Sequence, residues 1–249
     1  MVKRSCVFGV VGMVWVVMTL AAIAYATRLA LFVAPTENTM LDVQRIFYYH
    51  VPTSMLSLLF PYVNFVSSLF YLGWCRRDPL RALTADAVAI AAAEVTVVYS
   101  SISLLTGMLW GRAAWGVWWA WDARLTSMLL LWVLYVSYLI LRKLSSTGQT
   151  QTLAAVLSVF AALDVPIVYI SIRLVKYGVY TQHPQPVFGG DSNSGIAPAM
   201  MHAFGWNVLG WAMWGISLLL FRYGLERRRQ QSEQASALKA IEGSLEIVQ

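Results

Sequence analysis

Six stretches of this chain run for 17 residues or more with almost no charge, and that pattern decides the fold class. They are Val7–Leu31, Val51–Cys75, Leu83–Trp110, Leu125–Leu141, Leu153–Ile172 and Met200–Phe221. At a rise of about 1.5 Å per residue, each is long enough to cross roughly 30 Å of hydrocarbon. The fourth is shortest, with 17 uncharged residues between Arg124 and Arg142, and it suits a thin bilayer at small tilt. Composition agrees. A soluble domain carries about 25% charged residues, whereas this chain has 12% charged and 59% apolar residues. The polar surface needed to stay in water is missing, and intrinsic disorder is excluded by the same figures. The expected fold is all-α: a polytopic membrane protein, a six-transmembrane-helix bundle with short amphipathic helices in the outer loops. Residues 1–222 form the membrane domain, and residues 223–249 form a polar cytoplasmic tail expected to be a helix that frays in water.

The first stretch also resembles a signal peptide, because Lys3 and Arg4 precede it and Ala24-Tyr25-Ala26 mimics a cleavage site. Its apolar run of about 20 residues exceeds the 7–15 of a signal core, so a retained helix is expected. Orientation follows from the 18 Lys and Arg residues. Twelve (Lys3, Arg4, Arg76, Arg77, Arg81, Arg142, Lys143, Arg222, Arg227, Arg228, Arg229 and Lys239) fall on one side. Six (Arg28, Arg45, Arg112, Arg124, Arg173 and Lys176) fall on the other. The richer side is expected in the cytoplasm, with both termini. The basic balance therefore reads as membrane orientation and not as nucleic-acid binding. Cys6 and Cys75, the only two cysteines, are too few for a disulfide framework or a four-thiolate cluster.

The unusual residues lie in the outer loops, 32–50, 111–124 and 173–199. All three histidines, His50, His183 and His202, belong to that side. Five of the eleven tryptophans fall between Trp110 and Trp121. If the second loop is helical, Trp115, Trp118, Trp119 and Asp122 share one face, while Trp121 points elsewhere. Tryptophan favours the headgroup level in any membrane protein, so an aromatic belt accounts for some of them. A belt spreads one or two over each helix end, however, whereas this loop is a dense plate suited to a flat ligand with a π system. Gly107, Gly111 and Gly116 leave room for close approach of such a ligand. In the first loop Pro35-Thr36 marks a helix start and Pro52 limits its extent, with Val43, Ile46, Phe47 and His50 on one apolar face.

A lone histidine on such a face is usually structural, but His183 reaches the same surface from another loop. Two imidazoles flanking an aromatic plate suit six-coordinate haem iron. Zinc fits less well, because its sites need three or four protein ligands. Arg45 and Arg124 are candidates for the haem propionates, which the forked guanidinium suits; snorkelling to the headgroups is the alternative for each. Within the spans, Glu94 is expected to be neutral and bonded to a Ser, a Tyr or Asn64 on a neighbouring helix, with a proton relay as the alternative. Asp164 with Pro166 marks a kink whose freed groups are satisfied internally. The turn-rich run 189–195 is read as a connector or a lid beside His183.

The run Trp115-Gly116-Val117-Trp118-Trp119-Ala120-Trp121-Asp122-Ala123-Arg124-Leu125-Thr126 closely resembles the tryptophan-rich WWD signature of the haem-handling proteins of cytochrome c maturation. Six spans, Tyr49-His50-Val51-Pro52 before the second span and a histidine in the third outer loop resemble the haem exporter protein C branch, over everything but the tail. The resemblance implies haem b carried as transient cargo at the outer face of the inner membrane, with His50 and His183 as axial ligands. It implies that Trp115, Trp118, Trp119, Trp121 and Asp122 hold haem and meet a periplasmic haem chaperone. It also implies ABC-transporter subunits and a small membrane subunit as partners. One departure stands out: Lys176-Tyr177-Gly178-Val179-Tyr180-Thr181-Gln182-His183-Pro184 lacks the tryptophan pair common around the second histidine in this branch, which leaves His202 as a second candidate. Two other functions are weighed against haem transfer. A redox anchor bearing haem b needs histidines near mid-bilayer, and none is there. An enzyme attaching haem to the chaperone grades into transfer, since holding the vinyl group in place is catalysis by proximity. No Ser-His-Asp, Cys-His or P-loop constellation supports a hydrolase or an ATPase.

Overall fold

Six long helices make up the computed structural model, which describes residues 2–36, 38–144, 149–173, 183–184 and 196–248. They are α1 (Val2–Arg28), α2 (Phe47–Trp74), α3 (Pro79–Trp115), α4 (Ala123–Leu144), α5 (Thr150–Ser171) and α6 (Pro198–Val248). All 6 have the length and apolar content to cross a membrane, as expected. With six crossings, both chain ends and the 2–3 and 4–5 connections share one end of the bundle, termed here the terminal end. The 1–2, 3–4 and 5–6 connections share the other, the site end. The turn-rich run 189–195, read as a connector or a lid, lies outside the described residues.

Small side chains set how closely the helices approach. Ala87, Ala91, Ala92 and Ala93 of α3 are fully buried, and small residues at helix contacts let backbones come together in lipid. Tyr135 and Tyr138 of α4 and Val168 of α5 fill the space beside them. Polar bonds cross between helices: Asn64 donates to the Ala89 carbonyl at 2.7 Å, and Asn207 donates to the Ala26 carbonyl at 3.1 Å. Each such bond in a membrane contributes about 0.6 kcal/mol on average. They fix register more than they add stability.

Several expectations need correction. The first outer loop does not hold a separate helix stopped by Pro52. A short 3-10 turn, Asp42–Ile46, runs straight into α2, and both Pro52 and Pro61 lie inside that helix. Around Pro52 the Thr53 hydroxyl bonds the carbonyls of Tyr49 and His50 at 2.8 and 3.0 Å. Such side-chain bonds help a membrane helix tolerate proline. Glu94 bonds neither Ser, Tyr nor Asn64. It pairs with Arg222 of α6, because α6 carries that long cation back beside α3. The tail is an unbroken continuation of α6 to Val248. Gln230 is buried there and donates to the Leu83 carbonyl at 3.1 Å, while Arg229 pairs with Glu233 one turn on at 2.9 Å. Asp164 is buried, yet its carboxylate finds no hydrogen-bond partner among the described residues.

Candidate functional site

The second outer loop folds as a break, not as a helix. α3 ends at Trp115, and Gly116 follows with φ +76°. That left-handed conformation costs glycine nothing and a residue with a Cβ a good deal, so the helix stops here. Arg112 clasps the turn by donating to the Gly116 carbonyl. Residues 117–122 are non-helical, and Asp122 then caps α4, accepting from the Leu125 amide at 2.8 Å. The helical face that Trp115, Trp118, Trp119 and Asp122 were expected to share therefore does not form.

The break sorts the tryptophans into two sets. Trp110, Trp115 and Trp119 line a cleft at the site end. Trp118 and Trp121 stay outside it, 54% and 77% exposed. Edge-on contacts hold the rings: Trp110 meets Trp115 inside the cleft with ring centres 4.8 Å apart, and Trp119 meets Trp121 at 5.6 Å, linking the two sets. Asp122 is buried as the helix cap and sits beneath the loop that presents these rings.

Both expected histidines face the cleft, together with Arg124 and Met128 of α4 and Leu104 and Met108 of α3. His50 stands in the first turn of α2, and its Nδ1 lies 3.0 Å from the Thr106 hydroxyl of α3. His183 Nδ1 lies 2.9 Å from the Pro184 carbonyl. In each ring Nδ1 has a hydrogen-bond partner. The ring centres stand 6.4 Å apart with planes inclined by 39°. Two metal–imidazole bonds of about 2.0–2.1 Å on opposite sides of one ion put ring centres roughly 6.3 Å apart. The spacing thus suits one metal between the rings. Among the described residues no cluster of three or more His, Cys, Asp or Glu side chains could hold an ion by itself. Two protein ligands suit a metal already held in plane by a macrocycle, and the apolar indole walls suit the macrocycle. Burial, and then the nearby Arg124 cation, lower the pKa of His183 to about 4, so its imidazole is neutral at physiological pH. A neutral imidazole is the form that binds a metal.

Other expected site residues fall elsewhere. Arg45 is not in the cleft: its guanidinium donates to the Ala30 carbonyl at 2.8 Å, to Thr36 at 3.2 Å and to Asp42 at 3.0 Å, tying the first loop to the end of the first span. Arg124 lines the cleft while donating to the Val168 carbonyl at 2.5 Å. His202 is exposed and outside the cleft. Gly107 gives room to His50 itself, since a Cβ there would lie 3.1 Å from its Cε1. Sequence reasoning missed Thr106 and the Ser54–Ser103 pair, 2.5 Å apart in the cleft wall, because hydroxyls inside apolar spans give no pattern of their own. Trp110 was seen only as the edge of the loop. Its position one turn and a half before Trp115 was the available signal.

Comparison with known proteins shows the family. The family described as heme exporter protein C matches residues 4–238. The chain is 34% identical over 206 residues to heme exporter protein C of Bradyrhizobium diazoefficiens, covering 81% of this chain and 74% of that protein. It is 32% identical over 203 residues to the protein of that name from Rhodobacter capsulatus, covering 80% and 76%. For the Escherichia coli K12 protein of that name the identity is 30% over 195 residues, covering 76% and 72%. The chain, with its six apolar helices and its paired imidazoles over an indole-lined cleft, belongs to the heme exporter protein C family.

Proposed function

We propose that this protein holds haem b as cargo at the periplasmic face of the inner membrane and passes it to a periplasmic haem chaperone. Membership of the family carries the broader part, haem delivery for cytochrome c biogenesis by a multi-pass membrane protein. The finer part rests on one observation: two imidazole rings 6.4 Å apart, each with Nδ1 occupied, across a cleft walled by Trp110, Trp115 and Trp119. In this reading His50 and His183 bind the iron through Nε2, one from each side. Indole faces and edges pack on the porphyrin, each worth about 0.5–1.5 kcal/mol beyond buried area. Arg124 takes a propionate, and Arg45 holds the first loop in place.

Trp118 and Trp121, outside the cleft and open to solvent or headgroups, form with Val117 the surface that meets the chaperone. Asp122 serves that surface indirectly, by capping α4 under it. Exchange then proceeds at the rim, where a partner's ligand can replace one imidazole before the second lets go. ABC-transporter subunits and a small membrane subunit are the proposed partners within the bilayer. The twelve-to-six distribution of Lys and Arg supports both termini in the cytoplasm.

The test is haem retention. Purified full-length protein is expected to keep stoichiometric haem, and His50→Ala or His183→Ala to lose it more than tenfold at equal folding. Wild-type haem content in both variants would overturn the reading.

A further inference from the structure

His50 is held by an unusual partner for a residue in a membrane helix. Its Nδ1 lies 3.0 Å from Thr106 Oγ1, across the α2–α3 contact. The hydroxyl has one hydrogen, and that hydrogen is committed: Thr106 Oγ1 donates to the Ile102 carbonyl at 2.7 Å and leans toward the Ser103 carbonyl at 3.2 Å. What remains on the oxygen is a lone pair. Oγ1 is thus placed to accept from Nδ1–H, beside the Ser103 carbonyl as a second acceptor facing the ring, and both favour the Nδ1–H tautomer, whose lone pair is on Nε2. One turn further along α2 the same pairing repeats, Ser54 against Ser103 at 2.5 Å. Gly107, next in sequence to Thr106, leaves the gap that lets the ring sit against α3, because a Cβ there would press on His50 Cε1 at 3.1 Å.

Resting on the reading of His50 as a haem ligand, we propose that Thr106 is the positioning residue that selects the ligating tautomer of His50 and tunes its donor strength. An acceptor on the far ring nitrogen raises the basicity of a ligating imidazole and fixes its orientation, and losing such a partner typically costs about 10–100-fold in metal affinity. A more basic imidazole favours ferric iron, so Thr106 also holds the reduction potential of the bound haem down. The oxygen that Thr106 offers comes from α3, the helix that also carries Trp110 and Trp115. The ligand and two cleft walls are thus set by one element.

The test uses the full chain in detergent or nanodiscs, ferric haem as titrant, and the variants Thr106→Val and Thr106→Ser. Valine keeps the branched shape and removes the acceptor; serine keeps the acceptor and removes the methyl. Thr106→Val is expected to bind haem about 10–100-fold more weakly and to show a midpoint potential shifted upward. Thr106→Ser is expected at wild-type affinity and potential. Wild-type affinity and potential in Thr106→Val, or a serine variant as impaired as the valine one, would overturn the proposal. His50→Ala run alongside separates the two claims. If it loses haem while Thr106→Val does not, only the role of Thr106 fails; if it retains haem at wild-type affinity, the ligand assignment fails and this role with it.

Discussion

The two ends of this bundle spend their polar side chains in opposite ways. At the terminal end the charges close on one another. Arg142 of α4 grips Asp86 of α3 with two bonds of 2.7 and 2.8 Å, and both side chains are nearly buried, 8% and 4% exposed. Glu226 of α6 stands 3.9 Å from the same guanidinium, and Arg222 answers Glu94 a few turns deeper. At the site end the pairing stops short. His50 and His183 face a cleft, and among the described residues the buried Trp119 indole nitrogen has no hydrogen-bond partner. Polar groups in a membrane are costly unless satisfied. A closed set of partners reads as structure, and an incomplete set around a cleft reads as a place for a ligand.

The comparison can be broken most forcefully at the closed end. Removing one member of a buried pair leaves the other charge unmatched, at a cost of about 3–5 kcal/mol. Arg142→Ala is therefore expected to lower stability by that order in denaturant unfolding, while haem affinity per folded molecule stays unchanged. Replacing both partners, Asp86→Leu with Arg142→Met, is expected to recover most of the loss. A single variant as stable as wild type would show that the closed network does not hold the bundle. Glu94→Gln is expected to cost less, because the Arg222 side chain is 41% exposed and glutamine keeps an acceptor for it.

At the open end the sign of the effect should reverse. Gly107→Ala pushes a methyl group to 3.1 Å from His50 Cε1, so the ring must tilt off its axis. A severalfold loss of haem affinity is expected in titration, with little change in unfolding. Acidity gives a finer probe. Burial lowers the His183 pKa to about 4, against about 6.5 for a free imidazole. Protons therefore compete with iron at this residue only as the pH falls toward 4. Haem affinity of the His183 site is expected to stay level from pH 8 to 5; a decline centred near 6.5 would show an exposed imidazole instead. The smallest effect on binding is expected from Trp121→Ala, since that ring is 77% exposed and off the cleft. Haem affinity should stay within about twofold of wild type, with hand-over to the chaperone slowed in a stopped-flow transfer assay.

How much of this was legible in the sequence follows the same division. The spans were readable because hydropathy acts residue by residue, and α2, α4 and α5 sit close to the expected stretches. His50, His183 and the tryptophan cluster drew attention because they are rare residue types gathered at one end. Their arrangement was not readable. Gly116 changes a presumed helical face into a corner, and a single glycine in an aromatic run does not announce a positive φ. Glu94 with Arg222 and Gln230 with Leu83 are separated by 128 and 147 residues in sequence. Nothing local marks such partners. The polar part of α6 looked ready to fray because composition records its charges and not the α3 surface that receives Gln230. Arg45 and Arg124 looked alike as isolated outer arginines, and only the packed structure sends one to the first loop and the other to the cleft.

The central claim is that two imidazoles from different segments share one iron. It is tested most directly by the spin state of ferric haem bound to the purified protein, read by electron paramagnetic resonance. Wild type and His202→Ala should give a low-spin, six-coordinate signal, and His50→Ala and His183→Ala a high-spin one. A low-spin signal that survives both of the latter changes would contradict the account.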